Sequence, residues 1–69
     1  MEIVEVFSEN GINIICFNRD LTWAERAKKT AKIGDKIYSV NSTTNSRWMS
    51  TKDVINDPGA LKGHEIELK

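Results

Sequence analysis

The sequence is poor in the residues that build small cross-linked or metal-binding proteins. Its 69 residues include one cysteine, one histidine and one proline, and its ten basic and ten acidic side chains cancel. One cysteine excludes an internal disulfide framework, and with one histidine it cannot form a zinc site. The zero net charge argues against a protein that chiefly coats nucleic acid. The apolar runs are too short to span a bilayer, and the start lacks a secretory signal pattern.

These absences set the broad class. A chain of this length holds one domain with one modest core and little room for a deep cleft. We therefore expect a single domain over residues 1 to 69, in the cytoplasm, that is not an enzyme and has no catalytic residue, metal or cofactor. We expect a monomer, with a weak homodimer as the alternative, and no membrane partner.

Two short runs near the start predict a β-hairpin. "EIVEVF" (2 to 7) and "INIICF" (12 to 17) are rich in β-branched and aromatic residues, and Asn10-Gly11 between them is a strong hairpin signal. The second run is apolar on both of its alternating faces, which predicts a central strand. Cys16 lies in this run and is interpreted as a small core residue, because no cationic neighbour is evident to lower its pKa.

The middle of the chain predicts a helix of about three turns over residues 22 to 33. Thr22 and Glu25 have the spacing of a capping box, and Gly34 is a typical helix stop. A small-residue stripe would face the sheet, formed by Ala24, Ala27 and Ala31. Trp23 in the first turn is expected to pack on the sheet.

The second half predicts two more strands, a very short one and a second helix. "KIYSV" gives a strand and "RWM" the short one, while Ser50 and Asp53 resemble a cap for a helix that ends before Pro58-Gly59. "HEIELK" alternates strictly, so it predicts a last strand with Ile66 and Leu68 inward and His64, a structural histidine, on the same face. The predicted class is α+β, a mostly antiparallel sheet in β-β-α-β-α-β order.

This order of segments resembles a PDZ domain. The resemblance rests on "WAERAKKTAKIGDKIYSVN", "MSTKDVI" and "HEIEL" and covers residues 12 to 68. It implies that Gly-Asp closes the turn after the first helix and that the second helix borders a peptide groove. Two registers stay open, with either "NGINI" as the carboxylate-binding loop or "EIVEVF" as the groove strand. The alternative is an unrelated small domain in which Gly34-Asp35 is only a helix stop and turn.

Three functions follow as hypotheses. The first is a protein-binding module that captures a peptide as an added strand, with the second helix (Thr51, Lys52, Val54, Ile55) as the far wall. The second is a small regulatory or phage-type accessory protein that docks on a larger host protein through Arg47, Trp48 and Met49, residue types enriched at interfaces. The third is nucleic-acid binding by the basic face of the first helix, with phosphate contacts from Arg26, Lys29 and Lys32, beside Lys28 and Arg47.

Overall fold

The chain begins with the predicted β-hairpin. In the computed structural model, which describes all residues from 1 to 69, β1 (Ile3–Glu9) pairs antiparallel with β2 (Ile12–Phe17). Asn10 and Gly11 between them have φ of 51° and 78°, the left-handed backbone that a two-residue hairpin turn of type I′ requires. The hairpin prediction is therefore confirmed, because Asn and Gly adopt this backbone more easily than other residues do.

Seven strands form two antiparallel sheets. The first sheet has four strands in the order β1-β2-β6-β5, with β6 at Trp48–Thr51 and β5 at Asn41–Ser42. The second has three strands in the order β4-β3-β7, with β3 at Thr30–Ile33, β4 at Lys36–Ser39 and β7 at Glu67–Leu68. The expectation that β2 is central is confirmed, since it lies between β1 and β6.

The two sheets meet at two corners and enclose one core. Val40 alone separates β4 from β5, so one chain segment passes from the second sheet to the first. At the opposite corner Glu2 forms an isolated antiparallel bridge with Glu65. The core side chains come from both sheets and the segment after β2: Ile3, Val6, Ile15, Phe17, Leu21, Ala31, Ile33, Tyr38, Val40 and Met49.

The predicted three-turn helix is wrong. Only Trp23–Arg26 is helical (α1), one turn, and residues 30 to 33 are β3. The Thr22 and Glu25 capping box is present, so the local start signal was correct. The strand forms because it directs both Ala31 and Ile33 into the core, whereas a helix in this lysine-rich segment would bury only a stripe of three alanines. Gly34, with φ of 63°, closes the β3–β4 hairpin instead of a helix.

The predicted second helix is also absent. Residues 48 to 51 are β6, and the chain from 52 to 57 is irregular before a 3-10 helix at Pro58–Leu61. Asp53 does not cap a helix, because its backbone N–H donates to Thr51 Oγ1 (3.0 Å) and its carboxylate accepts from Ser39 N–H (2.7 Å). The α+β class and the β-β-α-β-α-β order are therefore corrected to a mostly antiparallel β fold.

The end of the chain is less regular than its alternating sequence predicts. β7 has two residues, although Ile66 and Leu68 do pack against the core. The structural role predicted for the His64 side chain is wrong because this side chain is exposed, and only its carbonyl is used, accepting from Ile3 N–H (2.9 Å). The longest helix has four residues, so no helix here is long and apolar enough to cross a membrane.

Candidate functional site

The solvent side of the four-stranded sheet carries an apolar surface, which we call the outer face. Strand alternation and pairing place one set of apolar side chains there, opposite the core: Phe7, Ile12, Ile14, Cys16 and Trp48. None of them belongs to the core cluster, and all but Cys16 are partly exposed. An antiparallel sheet with one solvated face normally carries polar residues on that face. The outer face is therefore an exception that calls for a functional explanation.

An aromatic pair crosses the middle of the outer face. The ring centroids of Phe7 and Trp48 lie 5.4 Å apart at an interplanar angle of 80°, an edge-to-face contact. Phe7 pairs with Ile14, and Trp48 pairs with Cys16, so the two rings approach each other from strands on either side of β2. The pair is half-buried by its neighbours, and this packing holds the rings in place while part of their surface stays accessible.

Cys16 lies in the strand between these two rings. Its side chain is buried, as predicted for a small core residue. It points to the outer face, however, and does not belong to the main core cluster. Burial raises the pKa of the thiol, and the nearby negative charge of Glu5 raises it further. The thiol is therefore protonated at neutral pH, and this weakens it as a nucleophile.

The residues predicted to bind a partner do not lie on one surface. Met49 has no exposed surface and belongs to the core, and Thr51 is also buried. Ile55 packs partly against the core, and Lys52 is exposed. Arg47 is exposed and its Nε donates to Asp20 Oδ1 at 3.0 Å. Trp48 is the one of the six that belongs to the outer face.

The free sheet edges are partly occupied by the chain itself. On β1, Ile3 N–H donates to His64 O and Ile3 O accepts from Gly63 N–H, and Val6 N–H donates to Glu5 Oε1. On β4, the Asp53 carboxylate occupies Ser39 N–H. Inward-turned carboxylates and covering segments of this kind are how proteins prevent strand addition. The helical wall that a PDZ-like groove needs is not formed, because residues 50 to 57 contain no helix.

Trp23 lies far outside the core, which corrects the expectation that it packs on the sheet. Its side chain is 83% exposed, and the Arg26 guanidinium carbon lies 5.2 Å from the ring centroid. It belongs to residues 18 to 29, which we call the Trp23 loop. Ala24 and Ala27, expected to face the sheet, are exposed there.

Glu25 organises the Trp23 loop. Its carboxylate accepts from Arg19 Nη1 and Nη2, both at 2.8 Å, and from Thr22 N–H at 2.8 Å. The Arg19 hydrogen bonds, followed by the Thr22 backbone bond, lower the pKa of Glu25 to about 2. A bidentate pair of this type gives a defined geometry, so the exposed indole is carried by an ordered loop.

The cations predicted to contact phosphates are dispersed. Arg26 Nη2 donates to Thr43 O (2.7 Å), and Lys29 Nζ lies 3.4 Å from Asn41 Oδ1. Lys32 lies on β3 opposite Glu67, in the second sheet, and helps to line an open depression of about 260 Å³ with Gly34, Glu65, Ile66 and Glu67. Arg26 and Lys29 therefore share a surface that Lys32 does not join.

The chain matches no protein-family model, and searches of curated proteins and of solved structures found no match. The PDZ resemblance therefore stays a prediction. Sequence reasoning had identified Trp48 but missed Phe7, Ile12 and Ile14. The signal was present in β2, whose two apolar faces predicted a central strand but not an exposed apolar face. No group of three or more side chains able to hold a metal ion lies together.

Proposed function

We propose that this chain is a non-enzymatic protein-binding domain that docks on a larger partner protein through the outer face. The observation that carries the proposal is the partly exposed aromatic pair Phe7 and Trp48, which with Ile12 and Ile14 forms an apolar surface on a solvated sheet face. Large aromatic side chains held in place by neighbours are the residues that most often dominate binding energy. A small regulatory or accessory role in the cytoplasm is part of this proposal.

The surface favours a folded partner over an extended peptide. Peptide capture by strand addition needs free backbone groups along an edge. Here Glu5, Asp53 and residues 63 to 64 occupy several of them on β1 and β4. The outer face needs no backbone pairing, because it offers apolar area directly.

The charges beside the outer face indicate which partner would fit. Glu5 and Glu9 lie on β1 along one border, and both are exposed. The only ion pair of Glu5 is a long one with Lys62 (3.7 Å). On the opposite side Ser50 and Asn41 are uncharged. We therefore expect a partner with an apolar patch flanked by basic side chains, since charge complementarity steers association and excludes wrong partners.

The test uses the two tryptophans as a matched pair. Trp48→Ala removes the anchor from the outer face, and Trp23→Ala removes an exposed indole elsewhere. Proteins captured from the native host by the wild-type chain and by Trp23→Ala, but not by Trp48→Ala, are the candidate partners. With the purified partner, Trp48→Ala should weaken binding by about 2 kcal/mol, about thirtyfold, while Trp23→Ala leaves it unchanged.

A second variant guards against loss of fold. Phe7→Leu keeps an apolar side chain on β1 but removes the edge-to-face pair, so it should weaken binding by a smaller factor while the circular dichroism spectrum stays native. A partner that binds Trp48→Ala and Phe7→Leu as tightly as the wild-type chain would contradict docking through the outer face.

A further inference from the structure

The Trp23 loop carries a second surface, separate from the outer face. It consists of the exposed indole of Trp23, Arg26 over its ring, and the next two cations of the loop, Lys28 and Lys29; we call this set the Trp23 surface. Arg26 is half-buried, and the two lysines are exposed. Because the indole keeps 83% of its surface, a planar group has access to the ring.

The cations of the Trp23 surface have no carboxylate partner. The loop contains two acidic side chains, and both are engaged elsewhere: Glu25 pairs with Arg19, and Asp20 accepts from Arg47 and from Ser46 Oγ. The Arg26 side chain has one hydrogen bond, to the Thr43 carbonyl, and lies over the Trp23 ring. The Lys29 side chain has one hydrogen bond, to the Asn41 amide oxygen. Lys28 forms no ion pair. A neutral chain thus presents a local positive charge beside an exposed aromatic ring.

We propose that the Trp23 surface binds single-stranded nucleic acid. One base stacks on the Trp23 indole, and Arg26 and the two lysines attract the adjacent phosphates. Stacking on an aromatic side chain tolerates any base and adds about 1 to 3 kcal/mol per base, and the phosphate contacts add an affinity that falls with salt. The Arg26 guanidinium over the ring extends the platform, since arginine also stacks on planar groups. Because the charge excess is local, the affinity is modest and the sequence preference is low.

The experiment measures fluorescence anisotropy of a short fluorescein-labelled oligothymidylate at low salt. The wild-type chain should bind with an affinity that falls steeply as salt is added. Trp23→Ala should weaken binding at least about fivefold, the lower limit for one stacked base. The double variant Lys28→Glu/Lys29→Glu should weaken it further and lower the magnitude of the slope of log affinity against log salt concentration by about 0.7 per lost phosphate contact.

Matched controls separate this surface from the rest of the molecule. Lys36→Glu/Lys52→Glu reverses the charge of two exposed lysines outside the Trp23 loop. This variant should lose much less affinity for the oligothymidylate than Lys28→Glu/Lys29→Glu does. Trp48→Ala should bind like the wild-type chain, so this test fails or succeeds independently of docking through the outer face.

Four results of the oligothymidylate and duplex titrations would overturn the proposal. They are no binding at low salt, equal losses in the two double variants, unchanged affinity in Trp23→Ala, and equal binding to duplex DNA, whose bases are not free to stack. Displacement of the oligothymidylate by an equal charge concentration of polyglutamate would instead assign the surface to an acidic protein partner, and would also overturn it.

Discussion

The two faces of the four-stranded sheet both carry apolar side chains, but only one face is buried. Met49, Ile15 and Val6 point inward and are buried, and their chain neighbours Trp48, Ile14 and Phe7 point outward and stay partly exposed. The inner residues are covered by the second sheet, while nothing in the chain covers the outer ones. Apolar character on a strand therefore does not show which face is core, because burial depends on what packs against that face.

The largest expected effect is on the inner face. Met49→Ala leaves a cavity at a site with no exposed surface and should lower the free energy of unfolding by about 2 to 5 kcal/mol. Since the free energy of unfolding of a small domain is only about 5 to 15 kcal/mol, the melting temperature should fall sharply. Chemical denaturation followed by circular dichroism measures it. Ile37→Ala, at an exposed site on β4, is the control and should change stability by less than about 0.5 kcal/mol.

A smaller effect is expected from the neighbouring residue on the outer face. Trp48→Ala loses the edge-to-face contact with Phe7 and part of a cross-strand packing, so it should cost about 1 to 2 kcal/mol. Denaturation under the conditions used for Met49→Ala allows the losses in free energy of unfolding to be compared between a residue of the inner face and one of the outer face.

A loss of stability in Trp48→Ala as large as that in Met49→Ala would contradict the assignment of Trp48 to an open face, because it would mean that the outer face is covered in solution. Sedimentation at increasing concentration would then show whether a second copy of the chain covers it. We expect a monomer, whose outer face is free for a partner.

The Trp23 loop should respond to acid before the core does. The pKa of Glu25 is about 2 in the folded state, against an ordinary value of 4.5 for a glutamate. The ion pair of Glu25 with Arg19 therefore stabilises the loop fully above about pH 4.5, and this stabilisation is lost as the pH falls towards 2. Because the pair lies at the surface, solvent screening keeps this contribution small.

Glu25→Gln tests this pH dependence. The variant should be slightly less stable than the wild-type chain at neutral pH and equally stable near pH 2, as measured by denaturation at a series of pH values. A stability difference that stays constant down to pH 2 would show that the carboxylate charge is not responsible.

The smallest effect is expected at the other tryptophan. Trp23→Ala removes a side chain that is 83% exposed and should change the free energy of unfolding by less than about 0.5 kcal/mol. Thermal melts of Trp23→Ala and Trp48→Ala, compared directly, sharpen the contrast. Equal losses would mean that the loop packs on the protein more than its exposure indicates.

The local signals in the sequence were reliable where a turn or a cap is made by adjacent residues. Asn10-Gly11 and the Thr22 and Glu25 capping box are both found as predicted. What failed was the extension of a local start into a long element. The helix signals at residues 22 to 25 did not determine the structure of residues 30 to 33. There, burying two inward side chains on a strand stabilises the protein more than a short, weakly amphipathic helix would.

The same limit applies to the candidate sites. Trp48 was identified because it follows a polar loop, and that loop does run over the surface. Phe7 and Ile14 were missed because a strand that is apolar on both sides is normally buried on both sides. Trp23 was assigned to the sheet because the helix expected there would have packed on it.

The sequence by itself determined the features that depend on backbone geometry, short-range hydrogen bonds or composition. These are the turn at Asn10-Gly11, the cap at Thr22, the β character of "INIICF" and the exclusion of disulfides. Long-range packing settled the rest, namely that residues 30 to 33 join a second sheet, that this sheet covers Met49 and not Trp48, and that Trp23 stands in solvent. The physical reason is that φ and ψ preferences depend on adjacent residues, whereas burial depends on which distant surfaces meet. This long-range packing decides which apolar side chains are buried and stabilise the chain, and which stay exposed and accessible to a partner.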